Sequence, residues 1–526
     1  MVNQNTHNKN RLSLNFLEPL KSWLRWGLIS SIALIFSLWN LLSNPAIASQ
    51  SIQPYLDRVV DNVNEFTLDN GMKFIVLERH EAPVVSFVTY ADVGGVDEPD
   101  GQTGVAHYLE HLAFKGTTQI GTRNYPEEKK LLDRLDTIET QIQQAKEAGD
   151  RFKVAQLQDL FVRVEKEALQ YVNQNEFGQI VEQQGGVGLN AATSSDYTAY
   201  FYSFPSNKLE LWMSLESERF LDPVFREFNK EKQVILEERR LRTDNSPVGQ
   251  MIEAFLDKTY TTHPYKRPVI GYNRDIRNLT RKNVEDFFAK YYVPNNLTVA
   301  IVGDVNPQEV QRLAKVYFGR YETKPAPPEV NQPEPPQQVT KEVTLSLPSQ
   351  PWYFEGYHRP AIEDKDNAVY DIITGILSEG RTSRLYKSLV VQKQVALNAV
   401  GFSGFPGDKY PNLVIFYGLT APGHSLEEVA SALEEEITKL KTEPVLESEI
   451  DRVKTIAKAN MLRTLDSNSG MARLLAEYQG KTGDWRNLFK QLEAIEKVTA
   501  ADVQRVAQTT FTAENKTIGK ILPVTQ

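Results

Sequence analysis

Apolar side chains follow two rhythms along this chain. Strict alternation, or short unbroken apolar runs, marks strands at 65–68, 73–77, 84–90 and 297–302, and Asp69-Asn70-Gly71 between the first two reads as a hairpin turn. Between the strands the pattern changes to the 3-4 spacing of amphipathic helices. The expectation is an α+β fold in which each half of the chain is a mainly antiparallel sheet covered by helices. In one segment, Leu131, Leu135, Ile138, Ile142 and Ala145 repeat at helical spacing, Ala148-Gly149-Asp150 interrupts, and Val154, Leu157, Phe161, Val164, Ala168 and Tyr171 resume. That pattern predicts an inserted helical hairpin over about 126–175, serving either as a binding arm or as a decoration of the fold.

Residues 321–338 read YETKPAPPEVNQPEPPQQ, six prolines with scarcely an apolar side chain, which predicts an extended, unpacked connector. The halves on either side look related. Ile276-Arg-Asn-Leu-Thr280, Val284 and Asn296-Leu-Thr298-Val299 match Ile495-Glu-Lys-Val-Thr499, Val503 and Asn515-Lys-Thr517-Ile518, all at a constant offset of 219. Each stretch predicts a helix capped by threonine, a turn and a strand. Chance recurrence of a common unit is the alternative to duplication, and the ungapped offset favours duplication. The expected organisation is an amino-terminal domain over 55–322, a linker over 323–338 and a homologous domain over 339–526.

Composition narrows the function classes. The chain has 526 residues, 68 acidic against 59 basic, for a formal charge of −9, so no basic field for nucleic acid is present. It contains no cysteine, which removes disulfides, thiol nucleophiles, zinc–thiolate sites and lipobox anchors. At the amino terminus Lys9, Arg11, Lys21 and Arg25 precede an uncharged run from Trp26 to Leu42, then Asn44-Pro45 and Ala46-Ile47-Ala48. This reads as an export signal over 1–48 cleaved after Ala48, the alternative being an uncleaved membrane anchor. Either places the remaining chain outside the cytoplasm, in the periplasm or an equivalent compartment.

The informative chemistry is Gly104-Val-Ala-His107-Tyr-Leu-Glu110-His111-Leu112. On a helix, residues four apart share a face, so both imidazoles can grip one ion, and Glu110 sits at the same rim. Two neutral imidazoles suit zinc, a third protein ligand leaves the fourth position to water, and a carboxylate beside that water can take its proton. The bland alternative is a surface helix with two solvated histidines. For a third ligand, Glu231 and Glu238 project from one face of a predicted helix at 228–240 in which Val234 and Ile235 mark the buried side; Glu237 points about 100° away.

The order H-x-x-E-H is the inverzincin signature. With its flanks, His107-Tyr-Leu-Glu-His-Leu-Ala-Phe-Lys-Gly-Thr117, the chain resembles the M16 (pitrilysin, mitochondrial processing peptidase-like) zinc metallopeptidase family. Further similarity follows in 189–193 (LNAAT), Glu231-x-x-Val-Ile-x-x-Glu238, 263–271 (HPYKRPVIG) and 380–386 (GRTSRLY). The resemblance implies two homologous domains forming a clamshell, His107, His111 and Glu238 as ligands of Zn2+, Glu110 as general base, and Glu231 as an acid orienting the site. It also implies Asn190 and Ala191 on an edge strand that receives peptide by β-addition, and Phe114 as a further substrate-binding residue.

Two departures from the family pattern matter. The interval from His111 to Glu238 is longer than in the shorter members, and the helical hairpin accounts for the excess. In the carboxyl half, Val390 and Leu397 stand where active single-chain members carry an Arg and a Tyr that hold the substrate and the tetrahedral oxyanion. Aliphatic side chains cannot donate to an oxyanion, and Arg384 and Tyr386 match the preceding loop instead. The expectation is therefore a zinc endopeptidase acting on peptides or unfolded segments in a closed chamber, the zinc-bearing subunit of a heterodimer whose homologous M16-like partner supplies Arg and Tyr. The alternatives are a non-catalytic assembly or scaffold subunit of the same fold and a chaperone-like peptide-binding module.

Overall fold

The computed structural model describes residues 53–524. The export segment proposed for residues 1–48 lies outside the described residues. A first helix, α1 (Gln53–Asn62), leads directly into β1 (Val63–Thr67). Among the described residues no helix is long and apolar enough to cross a membrane.

From Val63 the chain builds two sheets. The first has the order β1-β2-β6-β3-β5-β4, with β2 (Lys73–Glu78), β3 (Val84–Ala91), β4 (Val187–Thr193), β5 (Thr198–Pro205) and β6 (Leu297–Gly303). The second has the order β7-β11-β8-β10-β9, with β7 (Lys341–Leu347), β8 (Trp352–Arg359), β9 (Ala396–Phe405), β10 (Asn412–Thr420) and β11 (Lys516–Pro523). In each sheet one pair is parallel, β2 with β6 and β7 with β11, and every other pairing is antiparallel. The connectivity repeats strand for strand, β1 being the one addition.

The repeat extends to caps and turns. A helix over Arg281–Tyr291 has its counterpart over Ala500–Thr510, each with a threonine capping box, Thr280 with Asn283 and Thr499 with Asp502. Both end in the same backbone turn, at Tyr292 (φ −87°, ψ 63°) and Phe511 (φ −88°, ψ 63°). Asn296 and Asn515 then donate to the last helical carbonyls, Tyr291 and Thr510, each at 2.9 Å. Identical caps at the 219 offset are what a duplicated unit gives.

The helices that bear on the site are α2 (Val105–Leu112), α3 (Tyr125–Glu147), α4 (Arg151–Ala168), α5 (Phe228–Arg239), α6 (Pro247–Thr259), α7 (Arg281–Tyr291), α8 (Asn367–Ser378), α9 (Asn468–Thr482) and α10 (Ala500–Thr510). Helices α3 and α4 form the inserted hairpin. Gly149 turns it at a positive φ of 71°, and Asp150 caps α4 by accepting from the Lys153 N–H at 3.0 Å. Its buried seam is Leu132, Leu135, Ile138, Ile142 and Ala145 against Leu157, Val164 and Ala168, with Leu131 only half-buried.

Each half lends a helix to the other half's sheet. Helix α6 packs Met251 and Phe255 on Phe354, Leu413, Ile415 and Ile521. Gly356 and Gly519 make room for it: a Cβ there would lie 2.9 Å from the Phe255 ring and 2.8 Å from the Met251 sulfur. In return α9 lies over β3 and β6, close enough that a Cβ at Gly480 would fall 2.0 Å from the Tyr90 ring. The proline-rich connector, expected to be unpacked, is exposed for most of its length but pinned. Glu334 accepts the N–H groups of Thr261, Thr262 and His263 at 2.7, 2.8 and 3.0 Å, and Val330 packs on the α6 cluster. Burial pushes the Glu334 carboxyl up, but these donors outweigh it and hold it below its ordinary value.

Phe255→Ala would remove a fully buried ring from the contact between the halves and should cost about 3–5 kcal/mol. Urea unfolding of the whole chain measures this, and a loss under about 1 kcal/mol would show that α6 does not hold the halves together.

Candidate metal centre

Helix α2 is apolar on nearly every face, with Val105, Ala106, Tyr108, Leu109 and Leu112 buried, so packing surrounds the two histidines and Glu110. It starts abruptly at Gly104, whose φ of 88° and close approach to the Ile270 carbonyl (a Cβ would lie 2.7 Å away) exclude any side chain. The open N–H groups of its first turn are satisfied by a buried carboxylate: Glu98 accepts from Gly104 at 2.8 Å and Ala106 at 3.0 Å. Burial pushes the Glu98 carboxyl up to about 8 against the pull of those donors.

Tyr108 locks α2 to α5. Its ring stacks on Phe228 with centroids 4.6 Å apart, and its hydroxyl donates to the Phe228 carbonyl. On α5 the buried side is Phe228, Glu231, Lys232, Ile235, Leu236 and Arg239. Val234, expected inside, is 45% exposed, because the stripe 228–231–235–239 leaves position 234 on the flank. Glu237 is exposed and pairs with Arg240 at 2.5 Å.

This docking brings the donors together. Glu238 Oε2 lies 3.8 Å from His107 Nε2 and 3.6 Å from His111 Nε2, and the three groups offer ligand atoms all within 4.8 Å of one another. Two ligands of a tetrahedral zinc ion, each about 2.1 Å from it, stand about 3.4 Å apart, so the two carboxylate–imidazole gaps need only slight contraction. The donor chemistry fits as well. Burial pushes the His107 imidazole down to about 3, with His111 and Arg242 adding to the effect, so it is neutral and keeps its lone pair. His111 Nδ1 lies 3.3 Å from Glu231 Oε2, which fixes the tautomer that leaves Nε2 free for a metal. His107 Nδ1 is buried without a protein partner. The residues present therefore fit zinc.

Glu231 is in turn held by Lys115, 2.6 Å from its other oxygen. Burial raises the Glu231 carboxyl, but the contacts from His111 and Lys115 prevail and keep it below its ordinary value. Burial pushes Glu110 up, opposed by a 2.5 Å hydrogen bond that Thr193 Oγ1 donates to its Oε2. Arg242, on the wide π turn Arg240–Asp244 that follows α5, pairs at 2.7 Å with Glu238 Oε1, the oxygen turned away from the histidines.

The edge strand β4 runs beside α2. Asn190 is exposed and Ala191 buried, and the Ala191 N–H donates to the Asn190 side chain at 2.9 Å. Phe114 is half-buried, 6.1 Å from Tyr200 and under the Arg219 guanidinium at 4.9 Å. In the other half Leu397 is 51% exposed on β9, Val390 is half-buried, and Arg384 is paired with Glu449 at 2.8 and 2.7 Å. Lys115, Thr193, Glu98 and Arg242 carry no local sequence signal for the contacts they make. Lys115 and Thr193 stand inside the matched motifs, but their partners are remote in sequence and no spacing rule joins them.

The model of Insulinase (Peptidase family M16) matches residues 73–143 and 166–272, and that of the Peptidase M16 inactive domain matches 278–457. The chain belongs to peptidase family M16. The gap between the first two segments coincides with the outer part of the α3–α4 hairpin. Over 485 residues the chain is 30% identical to the zinc protease PqqE of Helicobacter pylori, covering 90% of this chain and 96% of that one. A crystal structure of a protease from Helicobacter pylori superposes with a TM-score of 0.74 at 28% identity, covering 88% of this chain and 99% of that one. The periplasmic protease PqqL from Escherichia coli shares the fold at a TM-score of 0.65 and 17% identity, and the match spans 88% of this chain but 48% of PqqL.

Glu231→Gln should weaken zinc binding about 10- to 100-fold, since the charge orienting His111 is lost. Competition with a chromophoric chelator reads this directly, and wild-type affinity in a folded variant would deny Glu231 that role.

Proposed function

We propose that the chain is a zinc-dependent endopeptidase. The observation that carries this reading is the convergence of His107 Nε2, His111 Nε2 and Glu238 Oε2, with Glu110 on the same helix as the imidazoles. His107, His111 and Glu238 would hold the zinc ion, which would supply Lewis-acid polarisation of the scissile carbonyl and a lowered pKa for water at the site. Glu110 accepts a proton from the attacking water and passes it to the leaving amine, the task for which burial and the Thr193 hydrogen bond hold its carboxylate in place. The free edge of β4 receives the peptide in extended form: Asn190 releases the Ala191 N–H to a substrate carbonyl, and Phe114, beside Tyr200 of β5, lines the path of the peptide. A strand added to an edge must be extended, which selects peptides and unfolded segments over folded domains.

In this reading the chain is the zinc-bearing subunit of a heterodimer. Val390 and Leu397 leave its carboxyl half without an oxyanion donor at those positions, and a homologous M16-like partner provides the Arg and Tyr. The match to about half of PqqL supports a second unit of the same kind as the missing complement. An export segment at 1–48, and a periplasmic or equivalent location, accord with the likeness to PqqL, itself a periplasmic protease.

Glu110→Gln should retain zinc and lower turnover of a quenched peptide by about 10²–10⁴-fold. Glu238→Gln should lose the metal, measured as zinc per chain on the purified protein. Retained turnover in the first, or retained zinc in the second, would sink the assignment. The isolated chain should cleave far more slowly than the chain mixed with its homologue, and equal rates would remove the partner from the proposal.

A further inference from the structure

The carboxyl-terminal half matches a domain described as inactive, yet it reaches the region of the candidate base. The connection is the turn between β4 and β5. Thr193, the last residue of β4, faces Thr198 of β5 and donates to Glu110. Three residues on, Asp196 is 2% exposed and serves as a junction. Its Oδ1 accepts the Tyr265 hydroxyl at 2.6 Å, and its Oδ2 accepts the backbone N–H groups of Asp408 and Lys409 at 2.8 and 3.1 Å. Ser195 donates to the Pro406 carbonyl at 3.3 Å, and the Tyr265 hydroxyl also receives the Tyr410 N–H at 3.2 Å.

The 406–410 segment is itself held from both sides. Lys409 pairs with Asp92 at 2.6 Å, and Lys481 of α9 pairs with Asp408 at 2.6 Å. Gly407 is required for the contact, because a Cβ there would lie 2.4 Å from Asp196 Oδ2. A buried carboxylate is costly unless its oxygens are filled, and the donors that fill this one include two main-chain N–H groups from the other half. Strand β4 needs such an anchor. It is bonded on one side only, and its pairing with β5 shifts register between Val187 and Asn190.

We propose that Asp196 is a positioning residue through which the carboxyl-terminal half fixes the β4–β5 turn, and thereby Thr193 and the carboxylate of Glu110. The proposal rests on the peptidase reading for its kinetic consequence and on geometry alone for the anchoring itself.

The test uses the full chain, together with its homologous partner if turnover requires one. Asp196→Asn puts an amide donor among N–H donors, and Gly407→Ala wedges the same contact open from the other half. Each should lower kcat about 10- to 100-fold, as a small misplacement of a reacting group does, with KM within about threefold of wild type and zinc content unchanged. Adding Asp196→Asn to Thr193→Val should lower kcat no further than Thr193→Val alone, because both act through one hydrogen bond. A merely structural role would make the losses additive, and additivity overturns the proposal, as does wild-type kcat in a folded Asp196→Asn. Should Asp196→Asn fail to fold, Gly407→Ala carries the same comparison.

Hydrogen exchange separates this from the peptidase reading. The Ala192 and Thr193 amides should exchange faster in Asp196→Asn while those of β6 keep their protection, and unchanged exchange in β4 overturns the anchoring. If wild type cleaves no peptide, the peptidase reading fails and the exchange result still decides the anchor.

Discussion

The docking of α2 on α5 through Tyr108 and Phe228 governs everything at the candidate centre. Two of the donor atoms belong to one helix and the third to another 127 residues later, so their spacing is only as well defined as that helix pair. A stacked ring and a buried hydroxyl-to-carbonyl bond fix both the distance and the rotation of one helix against the other. The inserted α3–α4 hairpin occupies much of that interval but packs its own seam with Val224, and its Glu165 reaches the pair at Asn229, at the start of α5. An insertion of this length is tolerated when its ends lie close together and it carries its own core.

The charges around the centre are arranged in tiers. His111 leans on Glu231, and Glu231 on Lys115; Glu238 offers one oxygen toward the histidines and gives the other to Arg242. Behind α2, Glu98 fills the open donors at the helix start. Each partner removes a rotamer from the group in front of it, so the centre is preorganised.

Much of this could be read along the chain, and the reason is periodicity. The spacing of His107, Glu110 and His111, the seven-residue interval between Glu231 and Glu238, the hairpin seam and the duplicated caps at Thr280 and Thr499 are all local patterns with a helical or strand rule behind them. Where the pattern misled, tertiary packing had decided the matter. Val234 turned outward because the buried stripe of α5 was set by Phe228 and Ile235, and the proline-rich connector was pinned by Glu334 meeting three N–H groups some seventy residues away. Thr193, Lys115, Glu98 and Asp196 each act across a fold contact that no window of sequence displays. The candidate ligands follow from local pattern, whereas the groups that steady them are set by tertiary contacts.

The exchange of helices α6 and α9 between the sheets also has a bearing on how such a chain can be taken apart. Severing the peptide bond within the 323–338 connector would not yield two self-sufficient modules. Each fragment would carry a bare strip of sheet and a stray apolar helix shaped for the other. Fragments of that kind reassociate or aggregate, and they cannot be shuffled singly into new gene fusions. The folding unit is the interlocked pair, so any lengthening of such a chain would have to add the entire body.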